Sequence, residues 1–509
     1  MKTIDQNLCT SCSTCIDTCP LQVIVMGDKK GIPTFLDGCV DCNCCIKECP
    51  SGAIKTLESI VPDAVECSHC RVLCKIGEGY FGACRRYRNE KGVIVRESPL
   101  HFPEPKAIDE QFEKAISKPL ILGIGAGTEF PDFFPAPYIV KDQVEGIDVI
   151  TAVSEVPVSY SSIRVKVDTS IDIGKPGFKV RRKGKEVGMI ITEEYGSKII
   201  SIGGINLITG KSGMIAAKTI VEVANREAVE LKIDNGPKII VQVGMPPIID
   251  GVVDKKVKAG CGGAILGLFG SRFKEIADET ITVDSEIIGL FSEHLAGKVL
   301  GAKYSGVRPI GRYSTPGNYF VEEQGNGWGG TAARTPEQVI RHIDMGTAWP
   351  GMAIFVVETN GSRAALFQLG EDGSLRPLTL SPEAEEVRAA IEDLSEQARV
   401  SGVYVGGIGG SARAGVSTAP AEVNRAIRAG LMKITIGGAP TFIFPGGNII
   451  VAVDVEKIPK GSFYLTPTPA PIIPVEYTTT LDIYNKIKGH TRKIRNLESL
   501  RKEGKFGKV

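Results

Sequence analysis

The stretch "CTSCSTCIDTCP", Cys9 to Pro20, recurs thirty residues later as "CVDCNCCIKECP", Cys39 to Pro50. Both read C-x2-C-x2-C-x3-C-P, so the chain opens with two copies of one small unit. Three closely spaced cysteines let a single loop wrap three corners of a cube. The fourth, set apart and followed by proline, reaches the centre held by the other copy. The spacing therefore predicts two [4Fe–4S] clusters. One takes Cys9, Cys12, Cys15 and Cys49, and the other Cys39, Cys42, Cys45 and Cys19. Cys44 is surplus to both and reads as a packed thiol.

This is the run of the bacterial two-cluster ferredoxins, so residues 1–57 are expected to form a ferredoxin-like module. The rest of the composition is that of an ordinary globular protein. The chain has 509 residues, 42% hydrophobic and 23% charged, with a formal net charge of +1. That length allows several domains around a large core. The balanced charge argues against a nucleic-acid partner, and no apolar run is long enough to span a membrane. The N-terminus lacks an apolar signal core, and thirteen of the fourteen cysteines fall between Cys9 and Cys84. Such crowding in a reducing compartment favours metal ligation over disulfides, and a cytoplasmic location is expected.

A third set follows in "VECSHCRVLCKIGEGYFGACRRYRNEKGVIVRE", Val65 to Glu97, with Cys67, Cys70, Cys74 and Cys84. Four thiolates fit a structural zinc ion or a third [4Fe–4S] cluster. Two redox centres immediately upstream favour the cluster, because an electron wire needs its next stop nearby. The spacing is not the C-x3-C-x2-C of a radical-SAM site. Arg85 to Arg88 ("RRYR") place cations beside this site, where they would favour its reduced form; the alternative is a solvated basic turn. Residues 58–100 form this segment.

Residues 101–475 read as a large mixed α/β (α+β) catalytic body, entered through a Pro-rich, aromatic stretch over 98–140. "GIDVITAVSEVPVSY", "KIIVQVG", "MAIFVVE", "VYVGG" and "NIIVAVD" are strand candidates. "SGMIAAKTIVEVANREAVEL" has helical spacing from Ser212. Thr335, Pro336 and Gln338 carry a capping-box signature, and "SPEAEEVRAAIEDLSEQARVSG" predicts an amphipathic helix closed by Gly402. Residues 476–509 form a basic tail, read as a surface helix or frayed end. Glycine clusters punctuate the body, among them "SIGGINLITGKSG", "AGCGGAILG", "GNGWGG" and "GGIGGSARAG". Glycine admits a phosphate or flat ring close to the backbone, which makes Gly204, Gly262, Gly263, Gly407, Gly409 and Gly410 cofactor-binding candidates. Gly407, Gly409 and Ala412 make a G-x-G-x-x-A run without the acidic residue a dinucleotide fingerprint needs. Iron–sulfur clusters pass single electrons, whereas reduction of a carbon bond takes two electrons and a proton. A flavin, FAD or FMN, is the usual converter.

The motifs "CSHCRVLCKIGEGYFGACRRYRNEKGVIVR", "SIGGINLITG", "GCGGAILGLF", "LFSEHLAGKVLG", "GRYSTPGNYF" and "GWGGTAARTP" resemble those of the 6-hydroxynicotinate reductases, over roughly residues 65 to 475. The ferredoxin-like module then reads as an addition, since many members of the family are expected to begin near the third cysteine set. The resemblance implies a homo-oligomeric iron–sulfur flavoenzyme of anaerobic nicotinate breakdown, with ferredoxin or a similar protein as electron donor. Its substrate would be a small N-heterocyclic carboxylate, reduced from 6-hydroxynicotinate to 1,4,5,6-tetrahydro-6-oxonicotinate. That substrate is largely its pyridone, so hydride should add at C4, conjugate to the C6 carbonyl, and a proton at C5. A cation must hold the carboxylate, donors must stabilise the C6 oxygen, and an acid must supply the proton. On the matching motifs, His294 is the acid or carbonyl donor and Cys261 an acid or a thiol beside the flavin. Arg308, Arg312 and Arg334 are the anion-binding candidates, and Trp328 is a ring to stack on. Tyr313 and Tyr319 are weaker donors. A related reductase of another N-heterocycle, or an electron-transfer subunit with a docking body, are the alternatives.

Overall fold

The computed structural model describes residues 2–27, 31–56, 63–70, 72–102, 110–126, 134–169, 171–194 and 197–503. The chain divides into two compact units, Met1–Lys106 and Ala107–Val509. The segments expected separately as 1–57 and 58–100 thus share one unit, and the junction between them falls outside the described residues. So do parts of the Pro-rich stretch and the last six residues of the tail.

In the first unit the sequence repeat is a structural repeat. Ser11 and Ser13 in the first copy and Asp41 and Asn43 in the second all take positive φ, between 55° and 63°. These left-handed residues turn the chain tightly between consecutive cysteines. Each turn leads into a short helix, Thr14–Asp17 or Cys44–Glu48, and the strand Lys2–Ile4 pairs antiparallel with Ile54–Thr56 to join the ends. The core of this part is small: Cys15, Cys45, Ile24 and Ile54, flanked by Ile4, Ile16, Phe35, Ile46, Cys19 and Cys49. Cysteine sulfur is a large share of the apolar interior. Two hairpins follow, Val65–Glu66 with Lys75–Ile76 and Tyr87–Glu90 with Val93–Arg96.

The second unit is mixed α/β, as the sequence predicts. Among its described residues three sheets dominate. The strand Ile147–Pro157 pairs antiparallel with Pro471–Thr480 at the centre of a seven-stranded sheet. An eleven-stranded antiparallel sheet runs from Val252–Val253 through Ser161–Asp168 and Val400–Gly407 to Phe442–Ile443. Residues from both sheets and from the helix Gly213–Ala224 share one core. A smaller seven-stranded sheet is built around the parallel pair Glu279–Val283 and Ala353–Glu358. Phe355 and Val357 face the helices Gly262–Ile276 and Pro382–Leu394, while Ile354 and Val356 face a second core beneath. Burial on both faces explains the unbroken apolar run "MAIFVVE".

The strands expected in "GIDVITAVSEVPVSY", "KIIVQVG", "VYVGG" and "NIIVAVD" form at Ile147–Pro157, Lys238–Val241, Val400–Gly407 and Ile450–Asp454. Three local expectations do not hold. The capping-box segment makes one 3-10 turn, Glu337–Val339, because the Gln338 side chain accepts the Arg334 amide at 2.7 Å; Ile340–Ile343 then pairs as a strand with Val307–Pro309. The amphipathic helix stops at Leu394, and Gly402 lies within a strand opposite Val165. The Ser395 hydroxyl ends that helix by bonding the Ile391 and Asn360 carbonyls. The segment expected as a tail begins inside the central strand Pro471–Thr480. It goes on to add Ile494–Asn496 parallel to Tyr138–Val144 and buries Leu497 and Leu500.

One carboxyl stitches the small sheet. Glu279 is fully buried and accepts the amides of Thr280 and Ser292 at 2.9 and 3.0 Å, and the hydroxyls of Ser292 and Ser305. Burial pushes its carboxyl up to about 7 despite these donors. The unfolded chain ionises this group first, at roughly the ordinary value near 4. Its contribution to stability therefore falls as pH rises towards 7 and is level above it. Glu279→Gln does not titrate. Its denaturation midpoint relative to the parent should climb between pH 5 and 7 and then stay constant; parallel curves would refute this account.

Candidate functional site

Three cavities in the first unit are lined by the three cysteine sets the spacing predicts. Cys9, Cys12, Cys15 and Cys49 face one of about 310 Å³, with Ile4, Pro33 and Ile54. Cys19, Cys39, Cys42 and Cys45 face a second of about 340 Å³, with Cys44 on its wall. Each set takes its fourth cysteine from the other copy. Cys67, Cys70, Cys74 and Cys84 face a third space of about 730 Å³, which opens to solvent. Burial, and then the neighbouring thiols of the same set, raise Cys15, Cys45 and Cys74 above an ordinary thiol. Among the described residues no three His, Cys, Asp or Glu side chains close on a point that would hold a single ion. The quartets surround spaces.

The third space has features that spacing did not reveal. His69 stacks on Tyr87 with ring centroids 4.0 Å apart, and the Arg96 guanidinium lies 4.8 Å from the Tyr87 ring centre. Arg86 and Arg96 line the cavity, so of the expected "RRYR" cations Arg86 sits at the site. Arg88 is instead paired with Glu90 and Glu97.

In the second unit the predicted glycines fall into two groups. Ser162 lies opposite Gly203 and Ser161 opposite Gly406, so the strand Ser161–Asp168 brings two glycine turns together from opposite sides. Gly204, Gly407, Gly409 and Gly410 form an open ledge there. A Cβ at Gly204 or Gly407 would meet nothing within 4 Å, and Tyr160 beside them is exposed. Val400–Gly407 is antiparallel to both its neighbours, unlike the parallel crossover of a dinucleotide fingerprint. Gly262 and Gly263 are packed. A Cβ would stand 2.3 Å from the Ile287 carbonyl oxygen at the first and 2.2 Å from Asn318 Oδ1 at the second. Glycine there lets the helix Gly262–Ile276 lie on the small sheet. Cys261 is the N-cap residue of that helix and half-buried.

A cleft of about 1040 Å³ lies between the large and small sheets, lined by Ile171, Ile249, Lys258, Asp284, Glu358 and Arg363 with the Gly325–Gly330 loop. It holds charged groups that the sequence reading missed. Lys258 Nζ reaches both carboxylate oxygens of Asp284 at 2.9 Å, with Glu286 at 3.6 Å, and both members of that pair are buried. Burial raises the Asp284 carboxyl, against the pull of Lys258. Buried Glu358 accepts the Gly329 amide at 2.6 Å and Arg363 Nε at 2.9 Å. Arg363 lies 4.9 Å from the ring centre of Trp328, which is itself nearly buried. The ledge stands at the start of Ser161–Asp168 and Ile171 beyond its end, which separates ledge and cleft by roughly 25 Å. They are two places.

His294 caps the short helix Leu295–Val299, its Nδ1 accepting the Ala296 amide at 3.2 Å. Next to it, Glu293 accepts the Tyr319 hydroxyl at 3.0 Å, and Tyr313 meets Tyr319 edge-on. Burial and then Glu293 hold Tyr319 well above the usual phenol range, so it stays a proton-bearing donor. Arg308, Arg312 and Arg334 are all exposed, the first two on strands of the small unit-2 sheets opposite His342 and Phe320. None of the three lines the cleft.

Among the described residues no helix is long and apolar enough to cross a membrane. No family model and no solved structure matches the chain. It is 42% identical over 501 residues to the 6-hydroxynicotinate reductase of Eubacterium barkeri, covering 98% of this chain and 99% of that one. Likeness at that coverage extends well beyond residues 65 to 475. The chain is an oxidoreductase and belongs to the 6-hydroxynicotinate reductase family.

Proposed function

We propose that the protein reduces 6-hydroxynicotinate to 1,4,5,6-tetrahydro-6-oxonicotinate, with electrons from ferredoxin or a similar donor passing through three [4Fe–4S] clusters. The observation that carries this reading is the arrangement of the twelve cysteines. Each quartet surrounds a cavity, and each has the ligand number of a cube-shaped cluster. That the thiols of the third set do not close on one point supports a cluster there over a single zinc ion, whose four ligands would.

The cleft suits the chemistry of the substrate. A flavin bound there would supply the conversion of single electrons into hydride. The Gly325–Gly330 loop is the backbone surface beside which it would lie. Arg363, held by Glu358 and braced on Trp328, presents a guanidinium for the substrate carboxylate. Lys258 and Asp284 hold a proton between Nζ and the carboxylate on the inner wall, where C5 needs one. Thr359, Asn360 and Ser362 add neutral polar groups for the C6 oxygen. His294, with Nδ1 committed to its cap, carries any exchangeable proton on Nε2. The roles expected of it, of Cys261, and of Arg308, Arg312 and Arg334 rest on the family motifs; the cleft residues rest on geometry.

Protein purified without oxygen should contain about 12 iron atoms per chain, against about 8 plus one zinc if the third quartet is structural. Reduced protein mixed with 6-hydroxynicotinate should show reoxidation of a flavin band together with product. A flavin band indifferent to this compound would discard the substrate, and absence of flavin would discard the mechanism. Arg363→Ala should raise KM about 10- to 100-fold, the loss of one charged hydrogen bond, with iron content unchanged and partial recovery in Arg363→Lys.

A further inference from the structure

Among the described residues, the third cysteine segment docks on one copy of the repeat and not on the other. The Lys75 amide donates to the Val40 carbonyl at 3.0 Å, which extends the loop between Cys39 and Cys42 as a rung of the Lys75–Ile76 hairpin. Val40 is buried with Cys67, Cys74 and Ile76, and Cys42 and Leu21 pack against that group. The Tyr80 ring lies on Gly38 so closely that a Cβ there would stand 2.8 Å from it. Gly38, Val40 and Cys42 of the turning loop thus all meet the third segment. Cys42 lines the second cavity and also packs against the apolar group that holds Cys67 and Cys74 of the third. On its other side the second quartet shares a core with the first, through Cys15, Cys45, Cys19 and Cys49. The cavity of Cys9, Cys12, Cys15 and Cys49 has, among the described residues, no lining residue from 63–102.

We propose that the Cys19/Cys39/Cys42/Cys45 site is the middle station of a linear relay, with the Cys9/Cys12/Cys15/Cys49 site at one end and the Cys67/Cys70/Cys74/Cys84 site at the other. The inference rests on the cluster reading above and adds an order to it. Every electron that passes between the ends crosses the Cys42 side. The repeat is symmetric in sequence, but Gly38, Val40 and Cys42 make it asymmetric in use. The equivalent positions of the first copy are Leu8, Thr10 and Cys12, and Leu8 and Cys12 are exposed. A large exposed leucine stands where Gly38 receives Tyr80, so the first copy cannot accept the third segment in the same way.

The test is magnetic. Protein reduced stepwise with dithionite is examined by electron paramagnetic resonance, since adjacent reduced clusters broaden each other's signals. In the parent the third-site signal should be broadened. Cys42→Ala or Cys39→Ala, each lowering iron by about 4 atoms per chain, should leave that signal narrow and isolated. Cys12→Ala, with the same loss of iron at the far end, should leave it broadened. A third-site signal that stays broadened in both middle-site variants, or that narrows in Cys12→Ala, would overturn the order. Should neither middle-site variant accumulate, Cys84→Ala reads the same adjacency from the other side. Loss of the third cluster should then sharpen the middle signal and leave the first unchanged. A parent with about 8 iron and one zinc per chain overturns the cluster reading itself and with it the relay, and that result is separate from any change in line shape.

Discussion

The strand Pro471–Thr480 is buried at all ten of its positions, and five of those are occupied by Glu476, Tyr477, Thr478, Thr479 and Thr480. A buried polar side chain without a partner costs a few kcal/mol, so this strand is possible only where its surroundings supply donors and acceptors. For Glu476 and Thr478 they do so by recruiting distant segments. Glu476 accepts the amides of Gly123 and Gly438 and the Thr435 hydroxyl, and Thr478 meets Thr151, which in turn receives the Leu120 amide. The strand pairs with Ile147–Pro157 over nearly its whole length. The polar content of one strand thereby fixes where the segments around 120, 150, 435 and 476 lie, and the eleven-stranded sheet shares a core with the result.

The small unit solves the opposite problem. It has few apolar residues to bury, and cysteine sulfur fills the gap. This accounts for how much of it was legible in the sequence. Ligand spacing is local, because three cysteines within seven residues define a loop, and the crossing of the fourth is forced once two copies exist. The cavities bring the cysteines of each set together. The docking of the third segment was not legible, since it depends on Gly38, Val40 and Cys42 all meeting that segment, a pattern of three residues inside a motif already explained by its cysteines.

In the large unit, strands and the helix from Gly213 followed their local patterns. The failures share a cause. Thr335 and Gln338 have the composition of a helix start, yet Ile340–Ile343 had a strand to pair with, and tertiary pairing outweighed propensity. Gly402 was taken for a helix end when it faces Val165 in a sheet. The cleft was hidden for the same reason. Lys258 and Asp284, or Glu358 and Gly329, are ordinary residues until the two sheets bring them together, and no spacing rule marks them. Trp328 is singled out by the family motif that carries it, and the glycines by their clustering. The sequence could not show that they belong to two places instead of one.

The same central pairing bears on how the protein is made. Residues about three hundred apart must meet before the seven-stranded sheet exists, and Ile494–Asn496 joins last of all. During synthesis the large unit therefore waits for nearly the whole chain, while every cysteine of the three quartets has been added by residue 84. Those thiols are present for most of the time the chain is being translated. Whatever those thiols bind or react with therefore reaches them before the rest of the protein has taken shape.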